Sequence, residues 1–288
     1  MNFNFRTSKG MNRILFEKAE ITDGIATFTG ERAEHVMNVL HGEVGQILKT
    51  GEVDGLIGTS EIVEILDRRS GKDSASPVGS GHITGDVDLV SPAGGHITGD
   101  AESFPLRIKV RVSHTEASIR PWIDLILAPP RPRVMKRLLP QLATMGVGRI
   151  VLVGAQKVEK DFWGATLLKE ENYRPLLIDG LMQGGTSILP KIECWKSFNR
   201  FLREGLSSFA TTERIVAHPY VEKVGEKSWS WRTDAKPLLA IGPEGGWTDE
   251  EVAKLIENGF RGYSLGSRIL RTDTATIALL AQLMKEYE

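Results

Sequence analysis

Leu238-Leu239-Ala240-Ile241-Gly242-Pro243-Glu244-Gly245-Gly246-Trp247-Thr248-Asp249-Glu250-Glu251 holds a strand, a loop and a helix start in one short stretch. Four apolar residues stopped by a glycine read as a buried strand. Thr248, with Glu251 three residues on, has the spacing of a capping box opening the next helix. A buried strand running directly into a helix belongs to a mostly parallel sheet covered by helices. The loop between them reads in two ways. Its glycines supply unusual backbone angles for a tight connection. They also leave backbone groups open beside one carboxylate, at the strand's carboxyl end, where α/β sheets place ligands. Neither GxGxxG nor the Walker lysine pattern occurs in the chain, which argues against a dinucleotide or P-loop enzyme.

Working outward, Tyr263-Ser264-Leu265-Gly266-Ser267-Arg268-Ile269-Leu270-Arg271-Thr272-Asp273-Thr274-Ala275 repeats the grammar of strand, glycine turn and helix start. Asp273 or Thr272 suits a helix cap, and two arginines flanking an Ile-Leu pair suit anion contact beside an apolar slot. Upstream, strands are expected at 106–112, 122–128, 149–153, 214–217, 238–241 and 262–265. Helices are expected from Val134 to Met145, with Pro140 inside, and over 167–182, 198–204, 249–258 and 273–287.

Toward the N-terminus the pattern changes. From Arg13 to Leu66, short β-prone runs are punctuated by glycines, with one helical stretch from Glu31 to Leu40, which predicts a small β-barrel-like domain over 11–66. Residues 67–104 are rich in Gly, Ser and Asp and contain His82-Ile83-Thr84-Gly85-Asp86 again as His96-Ile97-Thr98-Gly99-Asp100. Two copies are too few for a solenoid, and a duplicated loop insertion is favoured over a metal site. The α/β domain then covers 105–288, its first strand being one that could complete the N-terminal barrel.

The chain has 288 residues, 41% hydrophobic, with a formal net charge of −1. That composition excludes global disorder. A single cysteine, Cys194, permits no intrachain disulfide and matches a reducing, cytoplasmic setting, with an organelle as the alternative in a eukaryotic host. No CxxC or HExxH pair is present, so no metal is expected, and no apolar run has the length of a membrane span.

The pair Gly242-Pro243-Glu244-Gly245-Gly246 and Leu265-Gly266-x-Arg268-Ile269-Leu270-Arg271-Thr272-x-Thr274-Ala275 resembles the signature of the RsmE family of ribosomal RNA methyltransferases. Further matches are Met145-Gly146-Val147, Lys157-Val158-Glu159-Lys160, Leu189-Pro190, His218-Pro219, Arg13, His35, Val39-Leu40 and Gly45. The resemblance implies a SPOUT α/β domain with a trefoil knot, preceded by a PUA-like β-barrel, acting as a homodimer. It implies transfer of a methyl group from S-adenosylmethionine to N3 of a uridine in 16S rRNA, with the small ribosomal subunit as partner. On that footing His218, Gly242, Glu244, Gly245, Gly246, Leu265, Gly266, Ile269 and Leu270 are candidate cofactor contacts. Arg271, Glu244 and Asp273 are the catalytic candidates, and Arg13, His35 and Arg268 the RNA contacts.

The chain also departs from the family's usual text at Gln141, Thr144, Met182 and His41, where charged groups are more common. These positions mark it as a divergent member. A non-catalytic RNA-binding assembly protein and a methyltransferase acting on another RNA are the alternative readings. Residues 107–150 carry nine Lys+Arg against two acids, whereas 67–104 carry three against six. The neutral total therefore conceals a local basic excess suited to RNA.

Overall fold

The computed structural model describes residues 13–66, 106–211, 213–219 and 236–287. The Gly/Ser/Asp-rich insertion over 67–104 and its repeat lie outside the described residues. In chain order the elements are β1 (Ile14–Phe16), β2 (Ile21–Thr22), β3 (Ile25–Thr29), α1 (Glu31–Asn38), β4 (Ile47–Glu52), β5 (Ile57–Leu66) and β6 (Arg107–Glu116). There follow β7 (Ile123–Leu127), α2 (Pro132–Thr144), β8 (Val147–Val153), α3 (Glu170–Gly184), β9 (Lys191–Trp195), α4 (Phe198–Arg200), β10 (Arg214–Ala217), β11 (Leu238–Ile241), α5 (Asp249–Glu257), β12 (Phe260–Tyr263) and α6 (Thr272–Tyr287).

The described residues form two compact units, one of 20–47, 60–66 and 106–112, the other of the remainder. In the smaller unit β3 pairs antiparallel with β2 and β6, and α1 buries Ala33 and Val36. Ala26, Phe28, Ser60, Ile62, Ile108 and Val110 are its buried strand residues, an alternation that follows from the two-residue period of a half-buried sheet.

The larger unit is built on a parallel sheet in the order β12-β10-β11-β7-β8-β9. Its strands are apolar on both faces because helices cover both. Leu125, Leu127, Ile150, Leu152, Leu239 and Ile241 face a core that includes Leu138 and Leu142 of α2, Leu177 and Leu181 of α3, and Leu279, Leu280 and Leu283 of α6. Their neighbours Ile126, Val151, Val153, Leu238 and Ala240 face Phe198, Phe201, Trp247 and Leu255 on the other side. The helix α2 runs unbroken through Pro140, since Leu138, Leu139 and Leu142 are buried around it.

From β7 the chain moves toward β8 with α2 on one face. From β11, the neighbour of β7, it moves the other way with α5 on the opposite face. Adjacent strands whose connections diverge leave a crevice at their carboxyl ends. The glycine-rich loop begins there.

In the same unit β1 pairs in parallel with β4. Arg13, just before β1, donates from Nη1 to the carbonyls of Thr50 (2.6 Å) and Gly58 (3.0 Å) and from Nε to that of Gly185 (3.2 Å).

Candidate functional site

Strand β11 ends at Ile241, and the chain turns at once: the Gly246 amide donates to the Pro243 carbonyl at 2.8 Å. Gly246 sits at φ 72°, a left-handed conformation that only a residue without Cβ adopts easily. The capping box is present, Thr248 Oγ1 accepting from the Glu251 amide and Glu251 Oε2 from the Thr248 amide at 2.9 Å. The second oxygen of the same buried carboxylate accepts from the amide of Gln156 at 2.8 Å. Glu251 thus fastens the loop after β8 to the loop after β11. On the first of these, Lys157 donates from Nζ to the Gly245 carbonyl at 2.9 Å.

After β12, Ser264 Oγ lies 3.2 Å from both the Pro219 and the Gly266 carbonyl, between which its one proton is shared, and accepts from the Gly266 amide. The amide of His218 donates to the Tyr263 carbonyl at 3.1 Å, which ties the end of β10 to the same turn. Thr272, buried at the start of α6, donates from Oγ1 to the Gly242 carbonyl at 3.4 Å. Both glycine-bearing loops therefore meet across the carboxyl ends of β10, β11 and β12.

Between them lies a cavity of about 380 Å³. That is within the range of about 300–1,000 Å³ usual for small-molecule sites. Its walls include His218, Gly242, Glu244, Gly245, Gly246, Leu265, Gly266, Ile269 and Leu270, together with Arg268. The family resemblance implies ligand contact for these same residues, with RNA for Arg268. It implies no ligand contact for Lys157, Trp247, Tyr263 or Thr272, which also line the cavity. Trp247 is buried, and among the described residues its indole Nε1 has no hydrogen-bond partner. Burial lowers the pKa of His218 below the ordinary imidazole value; Asp249 opposes the shift and Lys157 adds to it.

Not every expected residue is in this wall. Arg271 is exposed at the start of α6, outside the lining of the cavity. Asp273 also lies outside it, with Oδ2 3.3 Å from Nη2 of Arg137 and Oδ1 accepting from the Thr274 amide. Those are the contacts of a helix-start carboxylate. Arg13 donates hydrogen bonds to three backbone carbonyls, as a tie between chain segments. His35 is half-buried in α1 of the smaller unit.

Comparison with known proteins supplies the chemistry that geometry alone leaves open. Residues 118–284 match the model of the RNA methyltransferase domain. The chain belongs to that family. Ribosomal RNA small subunit methyltransferase E of Treponema pallidum is 25% identical over 278 residues, covering 95% of this chain and 91% of the relative. The protein named ribosomal RNA small subunit methyltransferase E 1 of Borreliella burgdorferi is 32% identical over 149 residues, 51% of this chain and 60% of the relative. Among solved structures, ribosomal RNA small subunit methyltransferase E from Neisseria gonorrhoeae, bound to S-adenosyl methionine, superposes with a TM-score of 0.61. It is 19% identical and the match covers 95% of this chain and 97% of that one, so it shows a shared fold. The resemblance read from the two loops is thus borne out by the family model and by the names of the relatives. Both loops fall inside the matched residues of the family domain.

Proposed function

We propose that this RNA methyltransferase-family protein methylates N3 of a uridine in small-subunit ribosomal RNA, with S-adenosylmethionine as donor. The observation that carries the reading is the cavity walled by both glycine loops at the carboxyl ends of the parallel strands. Its composition suits that donor. Backbone groups of Gly242, Gly245, Gly246 and Gly266 can meet the polar ends of a nucleoside and an amino acid. Leu265, Ile269 and Leu270 are apolar side chains with at least a third of their surface exposed, and an adenine ring would cover them. When bound, the donor supplies a methyl group on a sulfonium: a nitrogen–carbon bond forms as the carbon–sulfur bond breaks, its electron pair staying on sulfur.

The chain's own residues have the remaining tasks, namely alignment, removal of the N3 proton and stabilisation of charge on the pyrimidine. Glu244, one of two carboxylates lining the cavity, accepts that proton in this reading. Asp273 acts in positioning, through Arg137 and the first turn of α6. Arg268 and Arg271 flank the Ile-Leu pair and meet RNA phosphate or base. The trefoil knot belongs to the same reading, as an implication of the family resemblance. So do a homodimer, a cytoplasmic setting and a PUA-like role for the N-terminal strands in holding RNA.

The test is transfer of labelled methyl from S-adenosylmethionine to small ribosomal subunits lacking the mark, with the product nucleoside identified by mass spectrometry. N3-methyluridine is the expected product. A folded protein that binds no donor and labels no ribosomal RNA would sink the reading. Arg271→Ala is expected to raise KM for the RNA particle and lower the salt dependence of binding by about one counterion, leaving donor affinity unchanged.

A further inference from the structure

The exposed face of α2 carries its charge unevenly. Met135, Leu138, Leu139, Leu142 and Ala143 turn toward the core, as an amphipathic helix requires. On the solvent side Arg133, Lys136 and Arg137 occupy the opening turns, whereas Gln141 and Thr144, further along the same side, are exposed and uncharged. Any polar residue would satisfy solvent there, so amphipathicity alone does not call for cations. The charged turns are those next to the carboxyl end of β7, which pairs in parallel with β11. They therefore stand at the same edge of the sheet as the glycine loops.

These cations are poorly placed for stability. Arg133 with Lys136 and Arg133 with Arg137 are like charges three and four residues apart, a spacing at which they repel on a helix surface. All three stand near the end of the helix where the macrodipole favours negative charge, and the first turn holds no acid to offset them. Arg137 has one partner, its Nη2 lying 3.3 Å from Asp273 Oδ2. Asp273 follows closely on Arg271, so this contact joins the charged turns of α2 to the arginine loop after β12. Arg268 and Arg271 on that loop are exposed. Among the described residues neither they nor Arg133 and Lys136 have a carboxylate partner. Arg133, Lys136 and Arg137 line neither the cavity between the glycine loops nor a smaller one of about 180 Å³ beside it.

We propose, on the footing of the function argued above, that Arg133, Lys136 and Arg137 form an exosite for the phosphate backbone of RNA outside the target nucleotide, continued through Arg271 toward the cavity wall at Arg268. A polyanion is the partner that relieves their mutual repulsion, since each phosphate seated on the strip also releases counterions. Phosphate contacts position a nucleic acid and carry no sequence, so the exosite holds the RNA and leaves choice of nucleotide to the cavity. Standing clear of the cavity, it acts on affinity for RNA and not on the transfer step.

The experiment compares wild type with three double variants. Arg133→Gln/Lys136→Gln removes the two unpaired charges, and Arg137 stays because it holds Asp273. Glutamine is close to arginine and lysine in helix propensity, so charge is the main change. Arg133→Lys/Lys136→Arg keeps the charge. Lys191→Gln/Lys196→Gln removes two exposed cations at and just after the edge strand β9. Each protein, saturated with S-adenosylhomocysteine, is titrated with small ribosomal subunits lacking the mark over a range of salt. Arg133→Gln/Lys136→Gln is expected to bind roughly tenfold more weakly at about 0.1 M salt and to lower the salt slope by about two counterions. Its KM for the particle should rise in step, while kcat and S-adenosylhomocysteine affinity stay within about twofold of wild type. Without RNA its Tm is expected to rise by about 1–4 °C in low salt, a gain that fades in high salt. The other two variants are expected to match wild type throughout.

An unchanged salt slope, an equal loss in the β9 variant, or a fall in kcat at saturating RNA would overturn the exosite. A lowered Tm would do so too, because the cations would then serve the fold. Altered sedimentation of Arg133→Gln/Lys136→Gln would make this face a contact between copies of the chain, and would also overturn it. A lowered slope in that variant alone, with no ribosomal RNA labelled by wild type, sinks the proposed function and leaves the exosite standing. Labelled RNA with all variants binding alike does the reverse. No RNA binding by wild type sinks both.

Discussion

The two loops that wall the larger cavity are held very differently. The loop after β11 buries Pro243 and Trp247, closes on itself through Gly246, and is fixed by Glu251 to the loop after β8. The loop after β12 is anchored at its start by Ser264 and near its end by Thr272. Between those anchors Ser267, Arg268, Ile269, Leu270 and Arg271 are all exposed, Ile269 by 75%. The first loop is shaped by the chain itself. The second presents apolar side chains that only a bound molecule or partner can cover. A preformed wall contributes affinity by avoiding ordering costs, and an uncovered wall contributes it through burial on binding.

Breaking the preformed side should have the largest effect. Glu251→Ala removes the capping box and leaves the amides of Thr248 and Gln156 without their acceptor. Loss of a cap costs about 1 kcal/mol and an orphaned buried donor about 1–3 kcal/mol, so a loss of roughly 2–4 kcal/mol is expected. Urea unfolding would measure it, and donor affinity should fall with it. Glu251→Gln keeps one acceptor oxygen and should lie between. A loss below about 0.5 kcal/mol, the scatter of ordinary surface changes, would mean that the loop is not held by this carboxylate.

The uncovered side should behave in the opposite sense. Ile269→Ser combined with Leu270→Ser changes exposed side chains, so stability without ligand should move by less than about 0.5 kcal/mol. Donor binding should weaken by about 1–2 kcal/mol, or roughly five- to thirtyfold, as the apolar area covered by ligand is lost. Calorimetric titration beside thermal melts of the free protein separates the two quantities. A lowered Tm in the free variant would erase the contrast between the loops.

Much of this contrast is legible in the sequence because it is local. The run Leu238–Ile241, the glycines and the Thr248–Glu251 spacing all act within one turn of chain. The expectation of β strand at 238–241 and helix from 249 matches β11 and α5. Where burial is weak the text misleads. Strand β9, Lys191–Trp195, lies at the sheet edge with no fully buried residue, follows a proline, and carries no apolar alternation strong enough to announce it. Strand β12 occupies 260–263, whereas the apolar text suggested 262–265, because Tyr263 and Leu265 look strand-like although Leu265 belongs to the exposed loop. Phe198 to Gly205 continues from a short α turn into a π turn around the buried Phe201, a change of hydrogen-bond register with no signature in periodicity. The contact of Lys157 is tertiary: it reaches a carbonyl 88 residues away, and spacing cannot anticipate that. The contacts of Arg13, which the resemblance gives as an RNA contact, are equally out of reach of spacing, since the carbonyls it meets lie 37 and 45 residues away.

The smallest effect expected is a pH dependence at the anchor of the exposed loop. His218 ends β10 and bonds through its amide to Tyr263, immediately before that loop. Burial is the main cause of its lowered pKa, Lys157 reinforces it, and Asp249 opposes without prevailing. Above the ordinary imidazole value near 6.5 the ring is neutral in both folded and unfolded chains, and it contributes nothing to the slope of stability with pH. As the pH falls through that value the unfolded chain takes up a proton before the folded one does. Stability must therefore fall as the solution is acidified from about pH 7 toward 5. His218→Gln keeps a polar side chain and removes the titration. The Tm of wild type should thus drop more steeply than that of the variant over this interval, while the two run parallel from pH 7 to 8. Burial of His218 is only partial, so the difference should be modest. Parallel curves across the whole range would show that His218 is as free to protonate in the folded chain as in the unfolded one, and would leave the anchor of the exposed loop indifferent to pH.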